Sequence, residues 1–317
     1  MAASKNRLRW HQVPEPIQAE VARLAQGVVV SAHNCPGGFS PGLASRLGLA
    51  DGRRVFVKAM DADAWPHGGA IHRLEAIVAA ALPVVVPAPR LQGVFDDGHW
   101  VVLVFEDIDG TEPVQPWRDA QLRRVVAALD QMACDLTGVR VTLPPRDDPM
   151  RLGGWAEVAA DRACLDQVER RWPWAAALLD RLIEWERVGQ AAAETGDSLV
   201  HFDAYPHNTL LTAERVVLVD WPHARLGNPL VDLVQLLSSA AADGLDPEPY
   251  VVDRPRQVQS CLDAILAAHA GFLLSGGLSV VPPGLEAIPK AKLRLGIGAL
   301  SWLRRRMASR AGGRLVR

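Results

Sequence analysis

The run L-V-H-F-D-A-Y-P-H-N-T-L-L-T-A-E-R-V-V-L-V-D-W over 199–221 sets His201, Asp203 and Asn208 at H-x-D-x-x-x-x-N spacing and ends a second apolar run, 216–219, on Asp220. Apolar runs that stop at a carboxylate are buried strands that present it rigidly at the edge of a site. An Asp that accepts a hydroxyl proton, an amide oxygen from Asn and a second carboxylate form the donor set that holds magnesium and orients an alcohol for phosphoryl transfer. Singly, each residue has an ordinary explanation: a turn carboxylate bonded to local backbone, or a helix cap. Their order along one short stretch, with suitable partners upstream, favours the chemical reading.

The partners come from the first third of the chain. V-F-V-K-A at 55–59 places Lys58 inside an apolar strand, where lysine is seldom buried unless paired or bound to an anion. Glu75, in the Ala-rich helical stretch 72–82, is the candidate pair, and such a pair fixes an ammonium where it clamps nucleotide phosphates. The rival is a snorkelling lysine at a sheet edge and an unpaired surface glutamate. In the turn C-P-G-G-F-S-P-G at 35–42, Gly37, Gly38 and Gly42 let backbone amides approach an anion, and Ser40 can donate to a phosphate; a plain hairpin loop is the alternative. After the apolar run 100–105, the polar segment E-D-I-D-G reads as the hinge between two lobes, with backbone groups of Glu106, Asp107 and Ile108 facing the nucleotide.

The elements that must position these groups follow from periodicity. A helix is predicted over 14–26, strands over 28–32, 43–49 and 55–59, and a hairpin over 91–95 and 100–105, making a sheet of about five strands. From 121 the pattern turns helical: Leu122, Val125, Val126, Leu129 and Met132 share a face that Gly138 ends. Helices are predicted over 155–168, 174–188, 258–273 and 287–310. Another opens at G-N-P-L-V-D-L, with Pro229 near its first turn and Asp232 inside it.

A chain of 317 residues is too long for one typical core and divides into two lobes, 1–107 and 108–317. With 49% hydrophobic and 22% charged residues it has an ordinary globular composition, and a net charge of −2 makes no case for nucleic acid as a partner. Residues 111–289 carry 25 acidic against 15 basic side chains, an excess that suits a cationic ligand, whereas 290–317 carry 9 basic and none acidic. Cys35, Cys134, Cys164 and Cys261 are scattered without a C-x-x-C pair, as expected of free thiols in a reducing compartment. No charged-then-apolar leader opens the chain, and no apolar stretch reaches about 18 residues. The expectation is a cytoplasmic protein with no membrane partner.

The motifs H-F-D-A-Y-P-H-N, V-L-V-D-W and G-N-P-L-V-D-L in succession, with V-F-V-K and R-L-E upstream, resemble the aminoglycoside phosphotransferase and choline kinase family, relatives of protein kinases, over about 28–237. The resemblance implies an α+β, bilobal protein-kinase-like fold: an N-terminal antiparallel β-sheet lobe with one main helix and a larger, mostly α-helical C-terminal lobe. It implies Asp203 as the base at the acceptor hydroxyl, Asn208 and Asp220 as ligands of Mg2+, and Lys58 on the phosphates of ATP or GTP with Glu75 as its pair. It also implies the 37–42 turn over the nucleotide and Asp232 and His201 supporting the catalytic loop. Phe202, which stands where relatives usually have Gly, Asp161 and Trp221 are the expected substrate contacts; the rival for Asp161 is a solvated charged face.

The implied activity is transfer of the γ-phosphate to a hydroxyl of an aminoglycoside-like, macrolide or nucleoside antibiotic, conferring resistance, by a monomer or homodimer. A sugar, amino-sugar or choline-type kinase is the nearest alternative. Alternatives of other classes are a metal-dependent hydrolase using His201, Asp203, His207, Asp220 and His223, or an inactive nucleotide-binding module. A protein acceptor is disfavoured because no A-P-E segment follows Asp220.

Overall fold

Runs of β-branched and apolar residues punctuated by Asp-Gly turns fold into strands. The computed structural model describes residues 7–35, 41–143, 152–281 and 286–312. Helix α1 (Glu15–Leu24) leads into β1 (Val29–Asn34), β2 (Leu43–Leu49) and β3 (Arg54–Asp61), followed by α2 (Pro66–Ala81) and the hairpin of β4 (Leu91–Asp96) and β5 (Trp100–Glu106). These strands form one antiparallel sheet in the order β1-β2-β3-β5-β4. Gly52 and Gly98 close the β2–β3 and β4–β5 turns at φ +87° and +91°, where a Cβ would be strained. Ile17 and Val21 of α1 pack with Leu47, Val55, Val57, Val102 and Val104 in one core, and Ala76 of α2 packs with Leu103 and Phe105 in another. β5 is thus covered on both faces, which is why its sequence is continuously apolar rather than alternating.

Helix α2 begins six residues before the predicted stretch. Its start coincides with Pro66, suited to a first turn, but Gly68 and Gly69 argue against helix in the sequence. Packing against β3 overrides that propensity: a Cβ on Gly68 would lie 2.9 Å from Met60 Cε, and one on Gly69 would lie 2.6 Å from Ala62 Cβ.

The remaining elements are α3 (Asp119–Asp135), α4 (Trp155–Ala160), α5 (Arg162–Arg171), α6 (Pro173–Ala176), α7 (Leu179–Glu194), β6 (Ser198–Val200), β7 (Thr209–Leu211), β8 (Val216–Leu218), β9 (Arg225–Gly227), α8 (Leu230–Ala242), α9 (Arg256–Leu278) and α10 (Ala287–Gly312). The helix expected over 155–168 is two, broken at Asp161, whose carboxylate accepts the amides of Ala163 and Cys164 and caps α5. Helix α9 is long and apolar enough by composition to cross a membrane; its buried residues pack against α7 and α10, which accounts for that composition. All four cysteines are free thiols.

The chain forms two compact units, one of 1–112, 140–145 and 207–224, the other of 113–139, 146–206 and 225–317. The first unit thus takes in residues beyond 107, among them 108–112 and 207–224. The β7–β8 hairpin bonds to the N-terminal segment, with Leu218 N–H on the Pro87 carbonyl at 2.8 Å and Thr111 paired with Leu211 at 3.1 and 2.8 Å.

Candidate active site

In the first unit, β3 carries Lys58 opposite Ala44 of β2 and Leu103 of β5. Its ammonium donates to both Glu75 oxygens at 2.6 and 2.8 Å and to Asp220 Oδ1 at 2.8 Å. The side chains of Lys58 and Glu75 are 16% and 4% exposed, which rules out the snorkelling alternative, whereas that of Asp220 is 44% exposed. Burial by itself lowers the Lys58 pKa, but the Asp220 and Glu75 carboxylates outweigh it and hold the ammonium charged. One turn before Glu75, His72 pairs Nδ1 with the Gly68 carbonyl at 2.8 Å; burial, reinforced by Lys58, lowers its pKa to about 4 and keeps it neutral.

Asn208 and Asp220 belong to the same unit. Thr209 pairs with Leu218, and Val219 N–H extends that ladder to the Asn208 carbonyl at 2.9 Å, so the carboxamide and the carboxylate flank one end of the β7–β8 hairpin. Asp220 adopts φ +69°, a costly region for a residue with a Cβ. These are hard oxygen donors of the kind that suit Mg2+. Gly37, Gly38 and Ser40 lie outside the described residues. The flanks of their turn are tied by Arg7, which donates to the carbonyls of Gly42 at 3.2 Å and Cys35 at 3.1 Å.

The segment after β5 corrects part of the expectation for 106–108. Asp107 lies between the Arg46 and Arg54 guanidiniums at 3.2 and 3.0 Å, and its side chain is 2% exposed, so that side chain is an internal ion-pair partner. Burial raises its pKa against the pull of both arginines. The Ile108 carbonyl is likewise occupied, accepting Gly110 N–H at 2.9 Å and Arg46 Nη2 at 3.0 Å. Glu106 exchanges main-chain and side-chain bonds with Arg90.

In the second unit, α8 grips the backbone of the H-F-D-A-Y loop. Asp232 accepts the amides of His201 and Phe202, both at 2.8 Å. Gln235, one turn later on the same face, accepts from Ala204 N–H at 3.0 Å and donates to the Phe202 carbonyl at 3.1 Å. His201 Nδ1 accepts Asp203 N–H at 3.2 Å, and the Asp203 carbonyl accepts Tyr205 N–H at 2.9 Å. Phe202 sits at φ +64°, the left-handed conformation that explains why glycine is usual at this position.

Burial pushes the Asp232 carboxyl up to about 6 even though the two amides favour its charged form, and the charge of Asp203 adds to the rise. A folded-state value above the unfolded one means that its stabilising contribution is complete below the unfolded value and is lost as pH rises through about 6. The loop's charge-assisted bonds, in contrast, are complete only above that pH. An acid limb of kcat/KM near pH 6 is expected, flattened in Asp232→Asn; a pH profile unchanged in that variant would assign the limb elsewhere.

Behind the loop, Tyr205 Oη meets His269 Nε2 at 3.2 Å, with both side chains buried and the second ring nitrogen of His269 unpartnered. Burial, with a smaller effect from Lys292, lowers the His269 pKa to about 3, so the imidazole is neutral. Tyr205→Phe leaves His269 wholly unsatisfied and should cost roughly 1–3 kcal/mol, while adding His269→Leu should recover most of it. Additive losses in thermal unfolding of the single and double variants would refute this coupling.

The model of the phosphotransferase enzyme family matches residues 36–257, more than half of the chain. The chain belongs to that family. The chain is thus a phosphotransferase. No curated protein matches it. Among solved structures, that of a thermostable mutant of aminoglycoside phosphotransferase APH(4)-Ia with ADP and hygromycin B aligns at TM-score 0.54 and 12% identity, over 91% of this chain and 98% of that one. Spectinomycin phosphotransferase APH(9)-Ia with ADP and spectinomycin aligns at 0.52 and 13%, over 90% and 98%. Choline kinase from Cryptosporidium parvum Iowa II aligns at 0.50 and 12%, over 98% and 93%. These likenesses carry the α+β fold that the motifs implied.

One expected substrate contact of this phosphotransferase is corrected. Trp221 is 2% exposed and donates its indole N–H to the Leu218 carbonyl at 2.8 Å, so it is core. Asp161 is exposed and caps α5 through Oδ1. Among the described residues no three of His, Cys, Asp and Glu converge as a metal-ligand set, the arrangement that the hydrolase alternative calls for. Reading the sequence missed Gln235, Arg7 and the Tyr205–His269 pair. Only Gln235 had a signal, its i, i+3 spacing from Asp232.

Proposed function

We propose that the chain transfers the γ-phosphoryl group of ATP or GTP to a hydroxyl of a small antibiotic or sugar-like acceptor. The observation that carries this reading is the Lys58 ammonium held between Glu75 and Asp220, a strand lysine with two carboxylates at hydrogen-bond distance. In this reading Lys58 clamps nucleotide phosphates and Glu75 fixes its position. Asn208 and Asp220 hold Mg2+, which when bound offsets the negative charge of the triphosphate. The Asp203 carboxylate aligns the acceptor hydroxyl and takes its proton as the oxygen bonds to the γ-phosphorus and the bond to the departing nucleoside diphosphate breaks.

The grip of Asp232 and Gln235 on the loop supports this assignment, because a base must be presented in one geometry to contribute fully. Tests are a thermal-shift titration with ATP, GTP and Mg2+, then a phosphate-transfer assay over hydroxylated antibiotics and sugars. Nucleotide-dependent stabilisation with transfer is expected; neither binding nor transfer would overturn the proposal.

A further inference from the structure

We infer that His269 is a positioning residue for phosphoryl transfer: through its contact with Tyr205 it fixes the C-terminal side of the loop that carries Asp203. This deepens the preceding reading and rests on it, since it takes Asp203 as the base at the acceptor hydroxyl.

The loop and the two helices that hold it belong to the second unit. The bonds from α8 reach the backbone of residues 201, 202 and 204. At Tyr205 the hold passes to α9. Tyr205 N–H closes a tight three-residue turn onto the Asp203 carbonyl at 2.9 Å, so a shift of Tyr205 is passed to the backbone of Asp203. The Tyr205 hydroxyl meets His269 Nε2 at 3.2 Å, inside a helix of 23 residues whose middle is buried. Phe272 stacks on the same imidazole, with centroids 6.4 Å apart and planes 23° apart, and restrains its orientation. A reference point on a packed helix holds a neighbouring loop more exactly than another loop would.

Stability does not account for the pair. Ile265 and Leu273, one turn to either side of His269 on α9, are buried apolar residues, and a leucine between them would continue that face. The imidazole, neutral because burial lowers its pKa to about 3, instead leaves Nδ1 without a hydrogen-bond partner among the described residues. The desolvation of that nitrogen offsets what the bond to Tyr205 contributes. A hydrogen bond, however, specifies one position of the Tyr205 side chain, whereas apolar contact is non-directional. That specificity matters two residues from a base, where a displacement of about 1 Å can cost roughly 10²-fold in rate.

The test is steady-state transfer from ATP with Mg2+ to kanamycin, glucosamine, glucose, uridine and water, using the acceptor on which wild type is fastest, in parallel with thermal unfolding. Tyr205→Phe and His269→Leu should each lower kcat by about 10–10²-fold while the KM for ATP and the nucleotide-dependent thermal shift stay unchanged. His269→Gln should leave kcat near the wild-type value, because its carboxamide can donate or accept as either imidazole tautomer does. The double variant Tyr205→Phe/His269→Leu separates positioning from folding: with no polar atom left unpaired it should regain stability, yet kcat should remain low. Recovery of kcat along with stability in the double variant, or a normal kcat in His269→Leu, would assign the pair to folding alone and overturn the inference, while wild-type transfer would still uphold the kinase reading. Wild type that transfers to none of these acceptors would remove the reading of Asp203 as base, and the inference with it.

Discussion

Asp203→Asn is expected to lower kcat by about 10²–10⁴-fold, the contribution of a positioned general base, while nucleotide-dependent thermal stabilisation persists. The substitution keeps the size of the side chain and one oxygen, so the loop that Asp232 and Gln235 hold should retain its path. What is lost is the ability to accept the hydroxyl proton. The measurement is steady-state transfer to the best acceptor, paired with a nucleotide titration. Near-normal kcat in a folded variant would show that Asp203 is not the base.

Lys58→Met should act on both stability and chemistry, and the two can be separated. Removing the ammonium leaves Glu75, whose side chain is 4% exposed, without its counter-charge, and breaking a buried pair in this way costs roughly 3–5 kcal/mol. Burial already pushes the Glu75 carboxyl up against the pull of Lys58, so without the lysine it would fold protonated. Adding Glu75→Gln removes the cost of protonating that buried carboxylate on folding and should restore much of the unfolding temperature. Activity should stay down by about 10²–10³-fold in single and double variants alike, because the phosphate-positioning cation is absent from both. Recovery of activity together with stability in the double variant would mean that Lys58 serves folding alone.

The five-stranded sheet was legible because its strands are bounded by turn residues and its interior strand β5 is continuously apolar from Trp100 to Phe105. The pairing of Lys58 with Glu75 was legible because a charge in an apolar run demands a partner and a helix glutamate stood nearby. Helix boundaries were read less well. Gly68 and Gly69 hid the first turn of α2, since their propensity argues against helix and only close approach to Met60 and Ala62 favours them. Asp161 looked like a surface charge on one long helix, yet its side chain ends that helix by capping the next.

The sequence by itself determined the types and order of the reactive groups, because H-x-D-x-x-x-x-N, the strand-end Asp220 and the strand Lys58 are local patterns whose physics is local. Tertiary structure alone decided where each charge is used. It turned Asp107 toward Arg46 and Arg54, set Trp221 into the core, bound Asp220 to Lys58 and laid Arg225 over Phe202. A side chain's partner is set by distance in space, and residues 162 positions apart become hydrogen-bonded only once the strands that carry them are packed.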